Sequence, residues 1–505
     1  MAEIAGGSGR LTVTTPWHPS LQRPFAGSFV QAATAAVARR FERVDLYHTE
    51  DWTGPAHPSQ AALVRKAYDR LTAGPGPRIV SRARMTPDGY WATDIPTPVT
   101  PKRDYADWAA SHENALRHVL RQHSLQQHGL QEHSLQQHSL PGERFDADVV
   151  HGHVGIYGGW LALRFARPDA RVVVTEHASF LGKILGQPRS RAMYAEVMQR
   201  ADAVLCVSGG LRRQLAEAFP EHAAKIEILP NAVDIESMPR RAAPVRELHR
   251  WIYVGKVIAL KGVAELLEAF AIAAKDEARL RLTILGDGVL AGQLKARAAQ
   301  LGVAERVTFH DAVPPERVFE FMHGHDLLVH ASKSETFGMT TVEAVAAGMP
   351  VLVTKCGGPQ ETLAGLDGVA GLLVDVSDDP AVIVDGYRRL AEAHSRGEID
   401  PGRAREVLIG RFGSAAVAER LMDVYSGRGS GGERATDSAP RGLPADTDSA
   451  SHGLPADTGS VPRGVPADTA GTDRAADASP GTGAGTGTTA SAGELRGTES
   501  TRGRV

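Results

Sequence analysis

The stretch "WIYVGKVIALKGVAELLEAFAIAAKDEARLRLTILG", residues 251–286, decides the fold. It opens on an unbroken apolar strand pattern, "WIYVG" (251–255). It then runs through a lysine-bearing loop into a helical pattern, "GVAELLEAFAIAAK", and ends on a second apolar strand pattern, "LRLTILG" (280–286). Strands that are apolar on both faces and joined through a helix belong to parallel sheets covered on both sides.

The alternation continues in both directions. Toward the C-terminus the strand patterns are "RVTFH" (306–310), "DLLVHAS" (326–332), "PVLVT" (350–354) and "GLLVD" (371–375). Toward the N-terminus they are "LTVTT" (11–15), "VDLYH" (44–48), "ADVVHGH" (147–153), "VVVTEH" (172–177), "AVLCVS" (203–208) and "IEILP" (226–230). The break falls in "IESMPRRAAPVRELHR" (235–250), which is polar, carries proline and shows no strand pattern. The sequence therefore predicts an α/β protein with two Rossmann-like, doubly wound domains facing each other across a cleft. The N-terminal one spans 10–235 and the C-terminal one 247–412.

Two segments lie outside this pattern. "HSLQQHGLQEHSLQQHSL" repeats every five residues and puts His123, His128, His133 and His138 at equal intervals. Five helical steps turn about 140°, so these imidazoles do not share a face. Residues 121–140 are expected to be a low-complexity insertion in a surface loop. The segment 427–505 is rich in Gly, Ser, Thr, Ala, Asp and Pro and repeats "PADT". It has too little apolar matter to offset its ordering entropy and is expected to be disordered.

Gross features narrow the function. The 505 residues exceed one core, and a net charge of −3 gives no reason to expect nucleic acid or an anionic membrane. There is no apolar run of about 18 residues and no signal-peptide pattern. The two cysteines, Cys206 and Cys356, do not suggest a disulfide framework, and a cytoplasmic location is expected.

Ligands of open α/β sheets bind at the carboxyl ends of the strands. At one such end, Lys256 and Lys261 follow "WIYVG", and cations beside a helix N-terminus suit a diphosphate. At another, "SETFGMTTVEAVAAGMPVLV" (334–353) places Glu335 in a loop and Glu343 in the following helix, predicted to start near Thr340 with Thr340-x-x-Glu343 as a capping box. Ionised carboxylates there suit sugar hydroxyls, and the amides from Phe337 through Gly338, Met339 and Thr340 suit a phosphate. "ILGDGVLAG" carries Gly286-x-Gly288-x-x-Ala291 after a strand, which keeps an NAD-dependent dehydrogenase open as an alternative. A non-catalytic sugar-nucleotide-binding protein is a third.

Taken in order, "ADAVLCVS", "ILPNAVD", the two lysines, "ETFGMTTVE" and "AVAAGMPVLVTKCGGPQETL" resemble the family-four, GT-B-fold retaining glycosyltransferases of group 1 type over most of residues 10–426. The resemblance implies that Lys256 and Lys261 bind the donor diphosphate, Glu343 holds the ribose, and Glu335 faces the transferred sugar. It also implies that Gly27 lies near diphosphate and acceptor, that a histidine near "DVVHGH" contacts the reacting sugar (His153, with His151 and His177 as alternatives), and that a helix over 413–426 crosses back to the first domain. The family tends to have Arg where Lys256 stands. The implied partners are a UDP-sugar and a small-molecule acceptor, and no nucleic acid. The implied activity is hexosyl transfer with retention, with an aminoglycoside-type, cell-wall or lipid acceptor. The "DAD" at 146–148 reads as a polar loop, and no metal or other cofactor is expected, since lysines and helix amides can stabilise a departing diphosphate.

Overall fold

The computed structural model describes residues 9–20, 23–24, 26–52, 81–99, 104–128 and 143–428. The predicted tail from 429 and the second half of the histidine repeat lie outside these residues. Residues 121–128 of the repeat are not a loop. They continue the helix Tyr105–His128, whose Ala109, Leu116 and Val119 are buried and carry it through the repeat's first two histidines.

Among the described residues, eight strands form the first sheet: β1 (Arg10–Thr15), β2 (Arg43–Trp52), β3 (Arg82–Met85), β4 (Trp91–Pro98), β5 (Val149–His153), β6 (Arg171–Glu176), β7 (Ala203–Cys206) and β8 (Ile226–Ile228). Their order is β3-β4-β2-β1-β5-β6-β7-β8, and every pairing is parallel except β3 with β4. The sequence patterns missed β3 and β4. Two prolines, Pro96 and Pro98, argue against a strand there. The structure accommodates them because β3 pairs only with Trp91–Asp94, so the prolines lie beyond that ladder, next to β2 alone.

Six strands form the second sheet: β9 (Arg250–Val254), β10 (Arg281–Leu285), β11 (Val307–His310), β12 (Leu327–His330), β13 (Val351–Thr354) and β14 (Gly371–Val374). All its pairs are parallel, in the order β11-β10-β9-β12-β13-β14. Strand order reverses between β9 and β12, and the crevice at such a switch point is where doubly wound sheets take ligands. In the first sheet the reversal lies between β1 and β5. Fully buried Val, Leu, Ile and Trp side chains on β9, β10, β12 and β13 supply the apolar faces that the flanking helices cover.

No helix or strand lies between Ile228 and Arg250. After the helix Pro401–Phe412 the chain returns, with Val233 bridged to Gly413. The last helix, Ser414–Tyr425, buries Val417, Leu421 and Tyr425 in one cluster with Leu11, Val13, Val30 and Val37 of the first domain. Among the described residues no helix is long and apolar enough to cross a membrane.

Candidate functional site

The second sheet's switch point gathers the charged residues. β9 ends at Val254, and Lys256 and Lys261 stand in the loop and 3₁₀ turn that follow. Gly262 closes that turn at φ 62°, and a Cβ there would sit 1.9 Å from the Ala331 carbonyl oxygen at the end of β12. Only glycine permits this approach. It sets Lys261 beside the β12 loop, where Nζ lies 2.6 Å from Oε1 of Glu335. Ser332 Oγ donates to the same Oε1 at 2.9 Å, and Oε2 makes no bond with the described residues. The Glu335 backbone is fixed as well. Its N–H donates to the Cys356 carbonyl at 3.0 Å, and its carbonyl accepts from Gly358 N–H at 2.9 Å.

Lys256 keeps much of its side chain in solvent. Its ammonium is nonetheless held below the ordinary lysine pKa by desolvation in the cleft and by the positive charges of Lys261 and Arg23. Arg23 belongs to the first domain, on the loop after β1, where its guanidinium donates to the Asp51 carbonyl at 3.2 Å. Cations converging from both domains are an arrangement that an anion stabilises.

The helix after Glu335 runs Met339–Ala346. Its N-cap is Gly338 in the left-handed region, with no side-chain cap, so the capping box at Thr340 does not form. Thr340 is the second helical residue, and Glu343 stands past the first turn. The reason is local: φ 83° at Gly338 starts the helix two residues early and leaves Thr340 no orphan amide to accept from. The amides of Met339 and Thr340 open the helix without intrahelical acceptors. Phe337 is buried with its ring edge-on to Phe412 at 5.2 Å, so its side chain anchors the turn. Desolvation pushes the Glu343 carboxyl up to about 7.

The first sheet contributes at its own switch point. Gly27 is the N-cap of the helix Ser28–Ala38 at φ 70°, and a Cβ there would lie 2.3 Å from the Trp17 carbonyl. Three buried histidines stand here, His151 and His153 on β5 and His177 just after β6, with His153 in ring contact with both of the others. His151 is satisfied on both nitrogens, Nδ1 by Tyr425 hydroxyl at 2.7 Å and Nε2 by Thr175 Oγ1 at 2.7 Å. It is thereby a structural link to the last helix. His153 Nδ1 bonds His177 Nε2 at 2.9 Å, and its own Nε2 makes no bond with the described residues. Burial lowers all three imidazoles, His151 and His177 to about 3, so they stand neutral at physiological pH. Phe29 packs on His177 at 4.6 Å, and Trp17 lies edge-on to Phe29 at 6.1 Å. Trp17 and Phe29 both belong to the segment 15–29 that leads out of β1.

Sequence reasoning passed over the buried acid Glu176. Its carboxylate accepts from the backbone N–H groups of Gly155 (3.0 Å), His177 (2.8 Å) and Ala178 (2.6 Å) and from Tyr194 hydroxyl (2.6 Å). It ties the ends of β5 and β6 together beside Val154, which is buried at φ 67°. Asn231 Nδ2 lies 3.9 Å from Met339 Sδ, so the chain just after β8 meets the start of the Glu343 helix.

Two other motifs resolve differently. Asp146 and Asp148 pair with Arg10 and Arg167 at the amino ends of the strands, away from the cleft. Gly286 and Gly288 are packed against the backbone of Gly255 and Val257, where Cβ atoms would approach carbonyl oxygens to 1.9 and 2.1 Å. These glycines are explained by loop packing without a dinucleotide. Among the described residues, His18, His48 and Asp94 bring potential metal-ligand atoms within 4.8 Å of one another. Arg84 already occupies that cluster, 3.3 Å from Asp94 and 3.4 Å from His18 Nδ1.

Two family models match in tandem: "Glycosyltransferase Family 4" over residues 91–237 and "Glycosyl transferases group 1" over 236–398. The chain belongs to the group 1, family-four glycosyltransferases. That membership removes the dehydrogenase alternative. The chain is 30% identical to a D-inositol 3-phosphate glycosyltransferase of Nocardia farcinica, over 55% of this chain and 66% of that one. It is 26% identical to the protein of that name from Segniliparus rotundus, over 83% and 96%. Among solved structures it is similar to sucrose-phosphate synthase from Thermosynechococcus elongatus, with TM-score 0.57, 17% identity and 82% and 98% coverage. It is also similar to Anabaena Alr3699/HepE, whose structure holds UDP and glucose, with TM-score 0.54 for the UDP-glucose complex at 16% identity and 83% and 100% coverage. These structures share the two-domain GT-B fold.

Proposed function

We propose that this glycosyltransferase moves a hexose from a UDP-sugar to a hydroxyl of a small polyol acceptor, with retention at the anomeric carbon. The observation that carries this is the Lys261–Glu335 pair at the switch point between β9 and β12, with Lys256 beside it. Lys256, Lys261 and the amides of Met339 and Thr340 take the diphosphate. Glu343 accepts the ribose hydroxyls. The bound Oε1 of Glu335 fixes the carboxylate, and Oε2 is left to accept from the hexose hydroxyls.

As the bond from the anomeric carbon to the phosphate oxygen breaks, negative charge grows on the diphosphate. The cations and amides stabilise it in place. No metal is required on this account, and no protein nucleophile is assigned. The acceptor oxygen bonds to the anomeric carbon on the face the diphosphate leaves, and its proton passes to the departing phosphate oxygen. Neutral His153, oriented by His177, hydrogen-bonds the sugar through Nε2.

The relatives' names point to a phosphorylated cyclitol, and a cyclitol-like or aminocyclitol acceptor of the antibiotic type is the class we favour. The activity is placed in the cytoplasm. A screen of UDP-glucose and UDP-N-acetylglucosamine against inositol phosphates, aminocyclitols and lipid acceptors, read by product mass, tests the assignment. A product formed only from a lipid would overturn the acceptor class, and no product from any UDP-sugar would overturn the donor.

A further inference from the structure

Glu361 lies where the two domains meet. It stands in the short helix Gly358–Thr362 after β13, on the second domain. Its carboxylate reaches the first domain. Oε2 accepts from Gly209 N–H at 2.7 Å and Oε1 from Gly210 N–H at 3.1 Å. Those amides open the helix Gly209–Ala218, whose N-cap Ser208 takes only the Leu211 amide. A carboxylate from the facing domain thus satisfies two orphan donors at the positive end of a helix, where charge-assisted bonds are strongest.

The other end of the same segment reaches Glu335, the carboxylate proposed to face the transferred sugar. Gly357 is bridged to Glu335, and the Glu335 backbone is bonded on both sides, to the Cys356 carbonyl and the Gly358 amide. One short stretch, 356–361, therefore joins the backbone of Glu335 to the first domain. Movement of the first domain relative to the second at this point must break the Glu361 bonds or drag the Glu335 loop.

We infer that Glu361 is a positioning residue for glycosyl transfer: by gripping the amides of Gly209 and Gly210 it latches the domains in the geometry that brings Glu335 and the first domain's acceptor side onto the same sugar. The inference rests on the proposed transfer reaction for its kinetic consequence and on geometry alone for the latch. The diphosphate and ribose ligands assigned above, Lys256, Lys261, the amides of Met339 and Thr340, and Glu343, lie on the second domain, and Arg23 and Gly27 approach from the first, so loss of the latch falls mainly on turnover and little on donor binding.

The test uses the full chain and two substitutions that attack one contact from opposite sides. Glu361→Gln keeps the shape and removes the charge. Gly209→Pro removes the N–H donor at the first helical position, where proline is tolerated, after an extended Ser208 at φ −153° and ψ 160°. Each variant is expected to lose roughly ten-fold in kcat with donor KM within about two-fold, the size of one charge-assisted contact. The double variant should be no slower than the slower single one, because both remove one interaction. Hydrogen exchange at Gly210 should quicken in both, and UDP, used as the probe, should slow it in the parent chain only. Additive kinetic losses, or exchange at Gly210 unchanged by Glu361→Gln, would overturn the latch. A chain that transfers no sugar fails the transfer assignment alone, and the exchange measurement still decides the contact.

Discussion

Lys261 and Glu335, 74 positions apart in the chain, meet at 2.6 Å between the ends of two adjacent strands. The pair makes a single device of two loops: each charge holds the other at the depth where a hexosyl diphosphate would lie. Replacing Lys261 by Met should therefore do more than weaken phosphate binding. It leaves Glu335 a partly buried carboxylate held by Ser332 alone, so turnover should fall roughly 10²-fold or more, as when a charge-stabilising group is removed. Steady-state kinetics with donor varied separates the effect on kcat from that on KM.

Lys256 tests the diphosphate assignment more simply. Lys256→Met should weaken UDP binding roughly ten-fold, the value of one ammonium contact to phosphate. Lys256→Arg should retain it, since a guanidinium binds phosphate in a planar fork. Calorimetric titration with UDP at low and high salt reads both. Equal affinity in the parent and Lys256→Met proteins would remove Lys256 from the donor site.

Glu343 gives a pH dependence with a definite sign. Its carboxyl is raised to about 7 in the fold from an ordinary 4.5. Between those values the unfolded chain has released the proton and the folded chain keeps it, so stability falls as pH rises through the window. Denaturant titrations from pH 4.5 to 7.5 should show the parent losing stability relative to Glu343→Gln. UDP affinity should rise over the same window as the carboxylate form becomes available to the ribose. A parent-to-variant difference independent of pH would contradict this.

The histidines predict an absence of titration. Burial keeps His151, His153 and His177 neutral, with His151 and His177 at about 3. The profile of kcat/KM between pH 5.5 and 8 should show no step that disappears in His153→Ala, although that variant should turn over more slowly.

Tyr425→Phe isolates the docking of the last helix. Removing the hydroxyl leaves His151 Nδ1 buried without its 2.7 Å partner, at a cost of about 1–3 kcal/mol in chemical denaturation.

Much of this was legible in the sequence. The strands of the second sheet are short apolar runs whose ends coincide with those observed to within about two residues, because burial on both faces leaves an unbroken signal. The residues Lys256, Lys261 and Glu335 stand out by position at strand ends. Their mutual geometry does not, since a contact across 74 positions has no local signature. β4 was hidden by Pro96 and Pro98, which are harmless only because β3 stops short of them. Thr340 looked like a cap because capping boxes are read by spacing, whereas Gly338 started the helix first. Glu361 and Glu176 look like ordinary acids in "GGPQET" and "VVVTEH", and only the fold shows that their partners are backbone amides.

The most direct test of the account is mass-detected sugar transfer by the parent chain and by Glu335→Gln, with one UDP-sugar and one inositol phosphate as substrates. The parent should give product and stoichiometric UDP, and the variant roughly 10²-fold less product while UDP binding is retained. Near-equal turnover by the two proteins would contradict it.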